Sequence, residues 1–158
     1  MKELWGGVEN TLLSSLNPPA TQTDIHKLED LINAKLPDSF KQAYEIHNGQ
    51  KILSKGIFGG KFFLSIDEII TEWMIWSKLQ DDLFFDELDV NADMQIKAQW
   101  WNKKWIPFTN DGEGNHICID LDPSKVGRYG QVIEIWHDDN KRKFICDDFG
   151  VWLRNIIT

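Results

Sequence analysis

A chain of 158 residues, 42% hydrophobic and 27% charged, has the size and composition of one globular domain with a full core. Its net charge of −8 argues against a general nucleic-acid binder and against attraction to an anionic membrane, since both need a basic face. Two cysteines make no disulfide framework, no apolar run could span a bilayer, and no basic stretch leads an apolar block at the start, so a reduced, cytoplasmic protein is expected.

The first predicted element is a helix over Leu4–Leu16, with Trp5, Val8, Leu12 and Leu16 on one face. Asn17-Pro18-Pro19 ends it, because a proline pair cannot continue a helix. Thr21 to Asp24 supplies N-cap chemistry for a second helix, whose stripe is Ile25, Leu28, Ile32 and Leu36. Pro37 suits the first turn of a third, carrying Phe40, Ala43, Tyr44 and His47, and Asn48-Gly49 stops it. Gly56 to Leu64 is glycine-rich and aromatic, and reads as a strand or tight hairpin.

Ser65 and Glu68 form a capping box before Ile66, Ile69, Ile70, Trp73 and Trp76, an amphipathic helix. Gln80 to Met94 is acidic and poorly periodic; a short helix around Asp82–Leu88 and then a loop are expected. The period then changes. Trp105–Thr109, His116–Leu121, Gln131–Trp136 and Lys141–Cys146 read as strands joined by short turn-rich connectors, which implies an antiparallel sheet. Asp147 or Asp148 caps a last helix with Phe149, Trp152, Leu153 and Ile156 on one face. The fold class is α+β: an antiparallel meander with N-terminal helices, an inserted helix and a C-terminal helix, forming a single domain over 1–158.

The eight tryptophans are expected mostly in the core, with one or two on a binding surface. Residues for chemistry are sparse. The four histidines, His26, His47, His116 and His137, show no metal-ligand spacing. Asn110 to Asn115 lacks the alternating acids and the closing Glu of a calcium loop, and reads as a glycine turn. Cys118 and His116 share a strand face, but within an apolar run that reads as buried packing. Asp120 and Asp122, two apart, suit acid–base work less well than a turn before Pro123. Trp100, Trp101 and Trp105 with Lys97, Lys103 and Lys104 imitate a nucleic-acid platform, but the acidic stretch Asp81–Asp93 lies just upstream. No catalytic residue, metal or cofactor is assigned, and a non-enzymatic binding domain is expected.

An ordered set of motifs resembles the SUKH superfamily, which includes fungal Smi/Knr cell-wall assembly regulators and bacterial immunity proteins. Leu36-Pro37-Asp38-Ser39-Phe40-Lys41 with Tyr44 and Asn48-Gly49 is similar to its opening signature. Ile57-Phe58-Gly59 and Leu64 to Ile69 with Trp73 follow in order. Trp105-Ile106-Pro107-Phe108, Gly112, Gly114-Asn115, Ile119-Asp120-Leu121-Asp122-Pro123 and Gly127 to Gly130-Gln131-Val132-Ile133 resemble its core, and Phe149, Trp152 and Leu153 its closing helix. These positions read as scaffold: turn glycines, an edge-strand proline, sheet-end acceptors.

The resemblance implies a protein-binding role. The first expectation is an immunity protein that neutralises a toxin, with a basic toxin domain as partner; the second is a regulatory scaffold in cell-wall or envelope assembly. Candidate contacts are Asp82, Asp86, Glu87, Asp111, Glu113, Asp138, Asp139 and Trp101, since an acidic surface complements a basic partner. No direct contact with nucleic acid or membrane is expected, and the oligomeric state is unreadable.

Overall fold

A computed structural model describes residues 1–8, 10–51 and 55–157. The expected first helix is split into a 3-10 helix, Lys2–Gly7, and a short α1, Asn10–Leu13, with residue 9 outside the described residues. Gly6 and Gly7, poor helix formers, fall at the break. Helix α2 (Gln22–Ile32) begins with a reciprocal Thr21/Asp24 capping box. Helix α3 (Asp38–Tyr44) starts after Pro37, which stands at the N-cap, and stops a turn short of His47.

The glycine-rich stretch is a tight hairpin, with bridges Gly56–Gly60 and Phe58–Lys61, leading into β1 (Phe62–Phe63). Helix α4 (Ile66–Asp81) carries the Ser65/Glu68 capping box. The helix expected at Asp82–Leu88 is absent: these residues form turns. Leu83 takes a left-handed φ of 62°, and the Leu83 and Phe84 amides donate back to Gln80 and Leu79, closing α4 rather than starting a new helix.

Strand β2 (Asn91–Ala92), unforeseen in the sequence, precedes β3 (Trp105–Pro107), β4 (Thr109–Asn110), β5 (His116–Asp120), β6 (Gln131–Ile135) and β7 (Lys141–Cys146); α5 (Phe149–Ile157) ends the chain. The main sheet has the order β2-β7-β6-β5-β3. The expected meander β3-β5-β6-β7 is antiparallel throughout, but β2 adds a parallel edge, so the sheet is mixed. The strand expected over Trp105–Thr109 divides after Pro107, and β4 pairs instead with β1 in a second, two-stranded sheet.

Alternation along the strands gives the main sheet two buried faces. Ile106, Ile117, Ile119 and Val132 face one core with α2, α3 and α5. Trp105, Cys118, Ile133 and Ile135 face another, closed by Trp76, Ile96 and Trp101. Helix α4 serves both: Ile66 and Ile69 enter the first core and Trp76 the second.

Candidate functional site

Pro37, Asp120, Asp122, Gly127, Gly130 and Gln131 of the motif set meet at one end of the sheet. Asp120, at the end of β5, is completely buried. Its carboxylate accepts from the Asp122 amide at 2.9 Å and from Gln131 Nε2 at 2.8 Å, and its carbonyl accepts the Gly130 amide. Burial pushes its pKa up to about 6, helped by the neighbouring Asp122 charge and opposed by the Asp122 amide and the Gln131 amide group. Gln131 also donates to the Gln95 carbonyl and accepts from the Arg128 amide, so one side chain ties three segments together. Gly127 and Gly130 allow the close approach: a Cβ on Gly127 would meet Gln95 O at 2.3 Å, and one on Gly130 would meet Pro37 Cγ at 2.7 Å.

Asp122 faces elsewhere. It takes Lys97 Nζ at 2.6 Å and Asn102 Nδ2 at 2.9 Å, and Lys97 and Asn102 hold its carboxyl below the usual range. Asp120 and Asp122 thus serve separate partners, and the turn before Pro123 accounts for both. Trp105 is buried at the start of β3 and Pro107 lies on an edge strand. Gly49 backs against Leu64 and Ser65.

The other chemical candidates are also engaged. Cys118 is buried, and burial raises its thiol well above the ordinary value, the reverse of an activated nucleophile. His116 Nδ1 lies 2.7 Å from the Thr109 carbonyl and Nε2 lies 3.4 Å from Glu72. In the platform imitation Trp101 and Trp105 are core, Lys103 pairs with Asp81, and Lys104 donates to the carbonyls of Ile32 and Asn33 at the end of α2. No cluster of three His, Cys, Asp or Glu placed for a metal occurs among the described residues.

The acidic candidates gather at the opposite end of the sheet. Asp111 and Glu113 lie between β4 and β5, and Asp138 and Asp139 between β6 and β7. Asn115 Oδ1 accepts the His137 amide at 3.1 Å and joins those two loops. Asp82, Asp86 and Glu87 lie on the turns after α4, which lead into β2, where the Asn91 amide donates to Asn140 O at 2.9 Å. Three acidic segments therefore rim one end.

Their roles differ. Asp111 is partly turned inward: burial alone would raise its pKa, but the Glu113 and Asn115 amides and the Asn115 side chain keep it low. Gly112 accompanies it, its amide donating to Asn110, and Gly114 lies against His137. Asp139 accepts the Lys141 amide, and Asp82 pairs with Lys78. Glu113, Asp138, Asp86 and Glu87 are exposed.

Trp101 departs from the expected surface. It is 1% exposed, stacked on Trp76 at 5.1 Å, with its indole N–H aimed at Ser77. The large ring is worth more in the second core than at the rim. The sequence reading missed Arg142, also fully buried, whose guanidinium donates to the carbonyls of Trp100, Trp136, Asp139 and Lys141 and lies 4.7 Å from the Trp100 ring. Burial lowers its pKa to about 10, which still leaves it charged at neutral pH. Its position in a strand gave no periodic signal, since a buried arginine in an apolar register looks like a misplaced surface residue.

A mixed sheet with a core on each face, an internally hydrogen-bonded motif cluster and an acidic rim defines a scaffold that presents loops. Residues 19–155 match the model of the SMI1 / KNR4 family (SUKH-1), and the chain belongs to that family. It is 24% identical to the cell wall assembly regulator SMI1 of Saccharomyces cerevisiae, over 96% of this chain and 37% of the relative. It is 25% identical to the glucan synthesis regulatory protein of Neurospora crassa, over 90% of this chain and 34% of that protein. With the cell wall biosynthesis/cell cycle regulator smi1 of Schizosaccharomyces pombe it shares 27% identity, over 85% of this chain and 29% of the relative. The chain spans about a third of the length of these relatives, and they are named as regulators rather than enzymes.

Proposed function

We propose that this domain is a non-catalytic, protein-binding regulator in the control of cell-wall assembly. The observation that carries the reading is family membership across nearly the whole chain, together with relatives named for cell-wall assembly and glucan synthesis. Those names favour the regulatory scaffold over the toxin-neutralising role that the sequence suggested first. The geometry is compatible: the family motifs hold loops in place, and the acidic rim offers a surface to a protein partner carrying basic residues.

A domain exchange tests it. This chain replaces the matching segment of the yeast relative, and the chimera is expressed in cells lacking that regulator. Restored growth on a wall-binding dye is the expected outcome. A chimera that accumulates to the normal level and leaves the cells as sensitive as the deletion refutes the proposal.

A further inference from the structure

The last residue of α4 and the segment that follows it, Asp81-Asp82-Leu83-Phe84-Phe85-Asp86-Glu87-Leu88-Asp89, hold five acids and no base. Within it Leu83 is 66% exposed, Phe84 70% and Leu88 42%. Met74 and Ile75, exposed on the outward side of α4, lie two to three turns before it. Isolated exposed apolar residues need no explanation, but a group within one turn of chain marks a contact surface.

The segment is held from beneath. The Phe85 ring lies 5.7 Å from Trp76 and 6.1 Å from Trp100, which fastens it to the second core. Leu83 sits in the left-handed region, where glycine is the residue without a steric cost. Folding gains little from this leucine, because two thirds of its surface stays in water. Beside the turn is an open depression of about 250 Å3 of mixed character, lined by Phe85, Leu88 and Trp100 together with Gln80, Asp86 and Gln99. It has room for one amphipathic side chain of a partner, an apolar stem with a polar head.

Charge selects the partner. Asp81 and Asp82 are paired with Lys103 and Lys78, whereas the side chains of Asp86, Glu87 and Asp89 make no ion pair among the described residues. A second copy of this chain, a nucleic acid or an anionic lipid surface would each bring negative charge to this rim. An amphipathic helix with basic flanks brings apolar residues at i, i+3, i+4 and i+7 and positive charge beside them.

We propose that the turn Asp82–Asp89 is the docking site for a basic amphipathic helix of a partner protein, with Leu83, Phe84 and Leu88 as the apolar contact and Asp86, Glu87 and Asp89 as the ionic rim. The proposal rests on the protein-binding reading above and gives the partner its chemistry. A synthetic helix of about 18 residues, Leu and Phe on one face and Lys on the other, is titrated into the 15N-labelled chain, against a control with Glu in place of every Lys.

The expected result is amide shifts confined to 83–89 and 98–101 with the basic peptide, with affinity falling about tenfold on going from low to high salt. Phe84→Ser weakens binding about tenfold, a loss typical of a contact at the centre of an interface. Replacing Asp86, Glu87 and Asp89 by their amides removes the salt dependence. Leu83→Gly weakens binding while raising the thermal midpoint, because it relieves the left-handed leucine; this separates lost binding from lost folding.

Equal binding of the acidic control, shifts centred on the β4–β5 and β6–β7 loops and indifferent to Phe84→Ser, no binding at millimolar peptide, or a dimer that Phe84→Ser abolishes would each overturn the proposal. The peptide titration asks nothing of the cell wall. A negative titration beside a functional chimera therefore discards this surface alone, and a bound peptide beside an inactive chimera discards the regulatory reading alone.

Discussion

Against the face formed by Ile106, Ile119 and Val132 the protein packs helices and phenylalanines; against the face formed by Cys118, Ile133 and Ile135 it packs tryptophans and an irregular connector, residues 93–104. The first core is the larger apolar mass, although it buries Gln50, which accepts the Ile57 and Phe63 amides, and Glu29, which accepts the Leu36 amide. Phe108 meets Phe149 at 5.1 Å, Trp152 at 4.9 Å and Phe40 at 6.0 Å, mostly edge to face. The second buries His116, Asp120, Gln131 and Arg142. Area removed from water does not require polar groups, so their presence calls for another cause. They hold backbone: Arg142 holds the carbonyls of the connector and the β6–β7 turn, and Asp120 and Gln131 hold the loop before β6 and residue 95. The first core buries the larger apolar cluster, and in the second more of the buried side chains are polar and hold the segments that surround it.

The largest effect is expected in the first core. Phe108→Ala removes a ring from a close-packed cluster and costs about 3–5 kcal/mol, measured by urea denaturation. A loss below about 1 kcal/mol would mean that this core is not the main source of stability.

Arg142→Met keeps an unbranched apolar stem, though a shorter one, and removes the donors. The stranded carbonyls of Trp100 and Asp139 are expected to cost about 3 kcal/mol. The informative measurement is hydrogen exchange, which is expected to accelerate in 97–102 and 137–140 while α2 and α3 stay protected. Uniform acceleration would erase the distinction between the two cores.

Asp120→Asn has its smallest electrostatic effect below about pH 4, where the carboxyl is protonated in both states, and its signature is pH dependence. The folded pKa of Asp120, about 6, is raised above the unfolded value near 3.8. Between those values the folded state holds more proton than the unfolded one, so this group's contribution falls as pH rises from about 4 to 6. The ionised form is then disfavoured by roughly 3 kcal/mol at most. Asp24, Asp93 and Asp122, whose pKa values are lowered, act in the opposite sense at lower pH, so the comparison is the difference between wild type and variant. The variant is expected to lack the Asp120 component, and chemical denaturation at pH 4, 5, 6 and 7 reads it. Parallel pH profiles for the two proteins would remove Asp120 from the account.

Local signals located much of this architecture. The Ser65/Glu68 box placed one helix start to the residue and Thr21–Asp24 located another within a few residues, because capping is an exchange between neighbours three apart. Period-two runs found β5, β6 and β7 within a residue or two. The motif cluster was legible as scaffold, but not the contacts that make it one: Gly130 beneath Pro37, or Gln131 reaching residue 95, join positions distant in the chain. The turn at Leu83 misled, because Asp82–Leu88 has helix-compatible residues and nothing nearby announces a left-handed leucine. Trp101 misled for the opposite reason: it follows an exposed, lysine-bearing stretch, and only the stack on Trp76 from another element places it inside.

Composition and spacing by themselves determined the α+β class, the helix caps, the antiparallel meander and the family, since each depends on residues within reach along the chain or on an ordered string of motifs. Only the tertiary structure decided that the sheet has a parallel edge at β2, that Arg142 is interior, and that three acidic segments share one end beside an exposed Leu-Phe turn. Those facts depend on which distant segments exclude water from one another, and no neighbouring residue records that.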